Sequence, residues 1–157
     1  MSRGKRISKR EAAPEPKYKS ITVAKFINMV MKDGKKTIAQ KAVYGALDIL
    51  AEKKNDDALK LFEQVLDAIK PSVEVRSKRV GGANYQVPMP VSNERQSALA
   101  FRWLISAAAA RKGQTMMAKL AAEMIDALDG VGGAMKKKED VHRMAEANKA
   151  FAHFARR

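Results

Sequence analysis

The chain has 157 residues, of which 31 are Lys or Arg and 17 are Asp or Glu, so its formal net charge is +14. Such an excess favours a large polyanion as partner, either a nucleic acid or an anionic membrane surface, through phosphate contacts and counterion release. The absence of cysteine excludes disulfides and thiolate metal sites, and the lack of a long apolar run or a signal-peptide pattern predicts a cytoplasmic protein without a membrane-spanning segment.

Met1 to Lys19 is predicted to be a basic N-terminal tail. This stretch contains seven Lys or Arg residues against two Glu, and Pro14 and Pro16 stiffen its second half. Because few of its residues can join an apolar core, we expect it to be disordered until it binds a polyanion. The remaining residues, 20–157, are predicted to form one folded domain.

Apolar residues recur at helical spacing through most of residues 20–157, which assigns the chain to the mainly α class with about six helices. Gly34 and Pro71 mark the ends of two helices, and Thr115 is placed to cap another. The predicted helices run from Ser20 to Met31, Thr37 to Lys53, Ala58 to Ile69, Ser92 or Asn93 to Ala110, Thr115 to Leu128 and Ala134 to Arg157, the last with a frayed end.

The apolar stripes of these helices identify candidate core residues. The stripe of the second helix consists of Val43, Leu47 and Leu50, supported by Ile38 and Ala46. The residues of the last helix that can pack are Met135, Val141, Met144 and Phe151. The stripe of the fifth helix consists of Met117, Leu120, Met124 and Leu128, and methionines at this spacing are typical of core positions and not of a cofactor site.

Residues 73–91, between the third and fourth helices, are predicted to form a protruding two-stranded β-hairpin arm. Apolar and polar residues alternate on both sides of the turn sequence Gly81 to Asn84. Pro88 and Pro90 are two residues apart, so both lack an N–H on the same outer edge of a two-stranded ribbon. A basic arm that projects and becomes ordered against a polyanion is the favoured interpretation, and a hairpin folded back on its own helices is the alternative. The basic residues towards the tip of the arm are Arg76, Lys78 and Arg79.

The alternation also predicts the strand register. Placing Val75 opposite Met89 gathers the apolar side chains on one face, and it requires a loop of three or five residues centred on Gly82. A two-residue turn would instead place Val75 opposite Pro88 and divide the apolar face. We therefore predict the longer loop.

The sequence contains no arrangement of residues that is typical of an enzyme. His142 and His153 have no carboxylate or cysteine partner at zinc-ligand spacing, and His142 can instead pair with Glu146 one helical turn later. Lys35 and Lys36 follow a glycine but lack the spacing of a phosphate-binding loop, so they indicate a basic patch. No catalytic residue, metal, cofactor or small-molecule substrate is predicted.

The basic residues cluster in the tail, the arm and the last helix, which favours RNA among the polyanions. In architectural DNA-binding proteins an apolar wedge, often proline, sits near the tip of such an arm, whereas here the tip is Gly81 to Asn84 and the prolines lie at the base. Small tip residues suit a close approach to an irregular RNA backbone. Arg95 and Arg102 are seven residues apart on one helical face and are further candidates for phosphate contacts. A helical adaptor whose charge only sets solubility would leave the clustering unexplained.

Three separated stretches of the chain carry a family resemblance. They are PKYKSITVAKFINMVMKDGKK, VEVRSKRVGGANYQVP and KKEDVHRMAEANKAFAHF, in order over nearly the whole chain. Together they resemble the bacterial form of the small-subunit ribosomal protein seven family. The resemblance implies a helical RNA-binding domain with a hairpin extension, in a structural constituent of the small ribosomal subunit.

Such a protein would be a primary binder of the 3′ major domain of the ribosomal RNA and would nucleate assembly of the subunit head near the decoding region. Its other partners would be exit-site transfer RNA, the messenger RNA path and small-subunit ribosomal proteins nine and eleven.

The resemblance also implies which residues contact RNA, and the charge of the last helix adds Lys136 and Lys137. The residues predicted to contact ribosomal RNA are Arg3, Lys5, Arg6, Lys9, Arg10, Lys35, Lys36, Arg76, Lys78, Arg79, Arg95, Arg102, Lys136 and Lys137. Those predicted to lie near transfer RNA and messenger RNA are Gly81, Gly82, Ala83, Asn84, Arg143, Asn148 and Lys149. The chain departs from the family pattern at Pro90, where an acidic residue is usual, and at Ser92-Asn93, where a basic residue and a proline are common.

Overall fold

The computed structural model describes residues 12–156 and confirms a mainly helical fold with a two-stranded hairpin. Every predicted helix is present, and the frayed end of the last one is a separate 3₁₀ helix. The elements are α1 (Ile21–Val30), α2 (Lys36–Lys54), α3 (Ala58–Ile69), β1 (Val73–Val80), β2 (Ala83–Pro90), α4 (Asn93–Ala110), α5 (Met116–Leu128), α6 (Gly133–Ala147) and the C-terminal 3₁₀ helix (Lys149–Arg156).

The helix ends follow local capping chemistry. Ser20, Asp57 and Thr115 each accept a backbone N–H from the first turn of the helix that they precede, α1, α3 and α5 respectively. Asn55 ends α2 in the left-handed conformation, with φ of 51°, which Asn tolerates better than most residues. These signals are readable in the sequence, and for that reason the predicted bounds of the first five helices agree with the structure to within a residue or two. The sixth begins as predicted but ends at Ala147, ten residues before the predicted end.

One apolar core joins the helices. The ring of Phe26 in α1 lies 5.2 Å from that of Phe62 in α3 and 5.4 Å from that of Phe101 in α4, measured between centroids. Helices α2 and α5 approach closely at Gly45, where an added Cβ would lie 2.0 Å from the sulfur of Met117. The core therefore holds α1 to α5 as one frame.

Two predicted core positions are exposed. Ile38 is 62 % exposed, and the buried residue at the start of the α2 stripe is instead Ala39, four residues before Val43. A separation of four residues keeps two side chains on one helical face, whereas a separation of five rotates them apart by about 140°. Met144 of α6 is also exposed, while Phe151 packs as predicted.

The predicted register of the hairpin is wrong. β1 and β2 pair antiparallel with Val75 opposite Pro88, and the turn between them contains only Gly81 and Gly82. Both glycines have positive φ, +58° and +90°, as in the type I′ turn whose twist matches that of the flanking strands. Because glycine has no Cβ, this conformation carries no steric penalty.

Packing on both faces of the hairpin explains the error. Val87 is fully buried on the face that also carries Glu74 and Arg76, while Val75 and Pro88 are half-buried on the opposite face. The apolar side chains are thus divided between two partly covered surfaces. A register argument that assumes one apolar face does not apply here.

The hairpin packs against α6 and the C-terminal 3₁₀ helix. The ring of Tyr85 lies 5.2 Å from that of Phe151 and 5.4 Å from that of Phe154, and Lys78 Nζ donates a hydrogen bond to the carbonyl of Phe154 at 2.8 Å. Side chains at i and i+3 eclipse in a 3₁₀ helix, so both phenylalanine rings face the same strand. The C-terminal segment therefore covers part of one hairpin face, while the tip stays exposed.

The end of the predicted tail, residues 12–19, is docked on α2 and differs from the expected disorder. Glu15 is only 4 % exposed and accepts hydrogen bonds from the backbone N–H groups of Lys17 and Tyr18 and from the hydroxyl of Tyr44. Lys17 Nζ lies 2.6 Å from a carboxylate oxygen of Asp48. These donors make the burial of a carboxylate possible. The predicted RNA contacts that fall outside the described residues are Arg3, Lys5, Arg6, Lys9 and Arg10.

Candidate nucleic-acid interface

The predicted contact residues of the described chain lie in three places. Lys35 and Lys36 are exposed at the start of α2, an element that does not touch the hairpin within residues 12–156. The hairpin residues form a second group with two arginines of α4, namely Arg95 in its first turn and the exposed Arg102 two turns later. The exposed basic residues of α6 and the C-terminal 3₁₀ helix form a third. The structure brings the second and third groups together through the packing of the hairpin on α6.

Glu74 joins two of the predicted contact residues. Arg76 Nε donates to one oxygen of its carboxylate at 2.5 Å, and Arg95 Nε donates to the other at 3.2 Å. Burial raises the pKa of Glu74, but the hydrogen bonds from the two arginines outweigh burial and hold this pKa below its usual range. Glu74 is therefore ionised at neutral pH, and its carboxylate binds both guanidinium groups. Sequence analysis missed it, although a period of two places Glu74 and Arg76 on one strand face.

Lys78 and Arg79 differ in their surroundings. The ammonium of Lys78 is held by the C-terminal segment through the carbonyl of Phe154, whereas Arg79 is exposed on the opposite face of β1. The Lys78 charge thus stays near the aromatic contact between Tyr85 and the C-terminal 3₁₀ helix. Arg79 has no such constraint from that segment.

The tip of the hairpin is open to close approach. Gly81, Gly82, Ala83 and Asn84 are all exposed. Around the position that a Cβ would take on either glycine, no other group lies within 4 Å. A nucleic-acid backbone can therefore come against the peptide chain here without a side chain between them.

The surface of α6 presents both exposed and engaged side chains. Lys136 and Lys137 are exposed in the first turns and Arg143 in the last turns, and Lys149 is exposed at the start of the 3₁₀ helix that follows. The side-chain amide of Asn148, in contrast, donates a hydrogen bond to the carbonyl of Met144 at 2.8 Å and so caps the C-terminus of α6. The predicted transfer-RNA contact of Asn148 would have to come from its remaining groups.

Contacts between α6 and its neighbours fix the direction of the helix. Lys138 Nζ donates to the carbonyl of Ala68 in α3 at 2.6 Å. His142 Nε2 accepts the backbone N–H of Ser72 at 3.3 Å, so the expected pairing with Glu146 is replaced by a contact to the base of the hairpin. Both contacts join α6 to the segment that leads into β1.

A buried carboxylate positions the start of α6. Glu123 of α5 is 1 % exposed and accepts hydrogen bonds from Arg111 at 2.6 and 2.8 Å and from the backbone N–H of Ala134 at 2.9 Å. A negative charge at a helix N-terminus also interacts favourably with the helix dipole. No sequence pattern marked this residue.

The described residues contain no set of three or more His, Asp or Glu side chains that could hold a metal ion. None of their helices combines the length and the apolar character needed to cross a membrane.

Exposed basic side chains on a hairpin and on α2, α4 and α6, held by one helical core, are typical of basic helical nucleic-acid-binding proteins. The chain matches the ribosomal protein S7p/S5e family over residues 2–149. It is 57 % identical to the small ribosomal subunit protein uS7 of Idiomarina loihiensis over 154 residues, which is 98 % of this chain and 99 % of that protein. It is 56 % identical to the uS7 protein of Alcanivorax borkumensis with the same coverage. The uS7 protein of Caldanaerobacter subterraneus is 57 % identical over 148 residues, 94 % of this chain and 95 % of that protein.

The chain belongs to the ribosomal protein S7p/S5e family. It is therefore a ribosomal protein, part of a cytoplasmic ribonucleoprotein particle, and not an enzyme. The family resemblance of the three sequence stretches is confirmed.

Proposed function

We propose that this protein is a structural constituent of the small ribosomal subunit that binds the 3′ major domain of the ribosomal RNA and nucleates assembly of the subunit head. The observation that carries the proposal is the family match over residues 2–149, with relatives named as small-subunit proteins. The choice of RNA domain rests on the resemblance of the three sequence stretches.

The arrangement of the described residues supports a mechanism based on charge and shape. Lys and Arg side chains neutralise phosphates where RNA helices meet, which removes the repulsion that would otherwise keep the helices apart. The apolar core of α1 to α5 fixes the distances between the basic groups, and the contacts of α6 with α3 and α5 fix its direction. A rigid frame of this kind can select one RNA junction geometry.

The exposed surfaces are assigned as follows. The residues proposed to bind ribosomal RNA are those on the tail, at the start of α2, on the hairpin and α4, and at the start of α6. The hairpin tip, Gly81 to Asn84, and the end of α6 are proposed to face exit-site transfer RNA and the messenger RNA path, with ribosomal proteins nine and eleven as neighbours. The exposure of the tip and of Arg143 and Lys149 supports this assignment.

A salt-titrated binding assay tests the proposal. The protein is titrated against the 3′ major domain RNA, an unrelated structured RNA of equal length and duplex DNA. We expect a strong preference for the first ligand that persists at physiological salt. The contribution of counterion release to affinity falls as the salt concentration rises, whereas contacts that depend on RNA shape are less affected. Equal binding to all three ligands, lost together as salt rises, would contradict the proposal and favour an architectural DNA-binding protein.

A further inference from the structure

We propose that Glu74 is a positioning residue for RNA binding, which holds Arg76 and Arg95 as one arginine pair that binds a single backbone phosphate. The inference rests on the proposed function and adds a residue and a geometry to it. Glu74 itself does not touch the RNA; it acts through the two arginines.

Glu74 is buried, whereas the two arginines that contact its carboxylate are largely exposed to solvent. Glu74 is 7 % exposed, whereas the side chains of Arg76 and Arg95 are 57 % and 40 % exposed. Both arginines therefore reach inward to the same carboxylate while much of each side chain stays open to solvent. A phosphate that approaches from the solvent side meets arginine and not glutamate.

The hydrogen-bond pattern leaves donors for a phosphate. Arg76 uses Nε and Nη2 on one carboxylate oxygen, and Arg95 uses only Nε on the other. Among residues 12–156, both terminal nitrogens of Arg95 and Nη1 of Arg76 have no hydrogen-bond partner. Arginine donors bind phosphate with defined geometry, often through two parallel hydrogen bonds.

Charge balance explains why a carboxylate sits between two cations that bind an anion. Two guanidinium groups alone would repel each other and would separate in solution. With Glu74 the three groups carry a net charge of +1, which matches one phosphodiester. Arginine loses much rotamer freedom when it is ordered, and a pair that is ordered before binding avoids that cost in the complex.

The strand and helix also place the pair. A period of two puts Glu74 and Arg76 on one face of β1, opposite Met89 and Val87. Arg95 reaches the same carboxylate from the first turn of α4. The pair thus joins the base of the hairpin to α4, and a phosphate bound by both arginines would contact both elements.

The test is the substitution Glu74→Gln, for which a net-charge effect and a positioning role predict opposite changes in RNA affinity. Glu74→Gln removes a negative charge from a protein that binds a polyanion, so general electrostatics predicts equal or tighter binding. Disordering of the arginine pair predicts roughly tenfold weaker binding to the 3′ major domain RNA at physiological salt, the effect of removing one charge-assisted hydrogen bond. Binding to an unrelated RNA is expected to be unchanged or tighter.

A matched control separates charge from position. Glu63→Gln makes the same change at an exposed residue of α3, and we expect it to leave binding to either RNA unchanged or slightly tighter. In an Arg95→Ala background, Glu74→Gln is expected to cause little further loss, because the pair no longer exists. An additive loss there would show that Glu74 supports the fold only, and would overturn the inference.

An arginine-to-lysine variant gives an independent measurement if Glu74→Gln fails to fold. Arg95→Lys keeps the charge but loses the planar donors of the guanidinium group, so we expect weaker binding to the domain RNA and unchanged binding to the unrelated RNA. Parent-like binding of Arg95→Lys to the domain RNA, or unweakened binding by Glu74→Gln, would overturn the inference while the parent still prefers the domain RNA. A parent protein without that preference would overturn the proposed function as well.

Discussion

Three buried carboxylates, Glu15, Glu74 and Glu123, organise much of the polar structure of the described residues. Each joins two separate elements of the fold: the N-terminal segment to α2, the hairpin to α4, and α5 to α6. A buried charge is tolerated only when donors surround it, and those donors come together only in the folded chain. This is why no local sequence pattern identified these three residues.

The hydroxyl of Tyr44 supports the buried carboxylate of Glu15. Burial and the hydrogen bond to Glu15 raise the pKa of Tyr44 to about 12, so this hydroxyl stays protonated and can donate at neutral pH. Tyr44→Phe removes the donor and leaves Glu15 under-satisfied. We expect the free energy of unfolding, measured in urea, to fall by about 1–3 kcal/mol.

Tyr18→Phe is the matched control, because it deletes the same atom from a neighbouring ring. The hydroxyl of Tyr18 donates at 3.1 Å to Asp48, whose carboxylate is half-exposed and also bound by Lys17. Water can replace that donor, so the expected loss is below about 1 kcal/mol. Equal losses in the two variants would show that Glu15 does not need the Tyr44 hydroxyl.

At the scale of secondary structure, the helices could be predicted and the hairpin register could not. Helix bounds depend on caps such as Ser20, Asp57 and Thr115 and on apolar spacing, which are local in sequence. The register depends on what covers each face of the ribbon. Tyr85 packs on the C-terminal 3₁₀ helix, about 66 residues further along the chain, and no local pattern reveals that contact.

Disulfide trapping can test the register, because the chain has no cysteine of its own. Ser77 and Gln86 are directly opposite and exposed, with Cβ atoms expected about 4.5–5.5 Å apart, close enough for a disulfide after modest adjustment. The double variant Ser77→Cys/Gln86→Cys is expected to form an intramolecular disulfide rapidly under mild oxidation. The disulfide would be measured by mass spectrometry and thiol labelling.

The control pair is Ser77→Cys/Val87→Cys, which would face each other in a hairpin with a three-residue loop. In the observed register these side chains point to opposite faces of the ribbon, so the pair should stay reduced. Faster oxidation of the control than of the Gln86 pair would show that the hairpin adopts the longer loop in solution.

At the scale of the molecule, the sequence predicts the family and the positive charge of the surface. It does not predict which charged side chains already contact other groups within the protein. The excess of Lys and Arg and the three family stretches identify an RNA-binding ribosomal protein from the residues alone. The structure adds that Arg76 and Arg95 share Glu74 and that Lys78 contacts the carbonyl of Phe154. These pairings depend on tertiary packing, so residues of equal formal charge are expected to contribute unequally to binding.

The basic residues of the hairpin allow a test of the whole charge arrangement. Replacing Arg76, Lys78 and Arg79 together with Gln keeps a polar side chain at each position and removes three positive charges. We expect weaker binding to the 3′ major domain RNA and a flatter dependence of log affinity on log salt, with the slope reduced by about one for each phosphate that the variant no longer neutralises. The slope is measured over a range of potassium concentrations.

The control triple is Lys53, Lys54 and Lys60, each replaced by Gln, which changes the net charge equally. These lysines flank the acidic residues Asp56 and Asp57, and two of them already pair with aspartates on the surface. If binding depends on net charge alone, both triples will lose the same affinity and slope, and the hairpin assignment fails. If it depends on where the frame holds each charge, only the hairpin triple will change the slope, because released counterions report the phosphates that the protein neutralises.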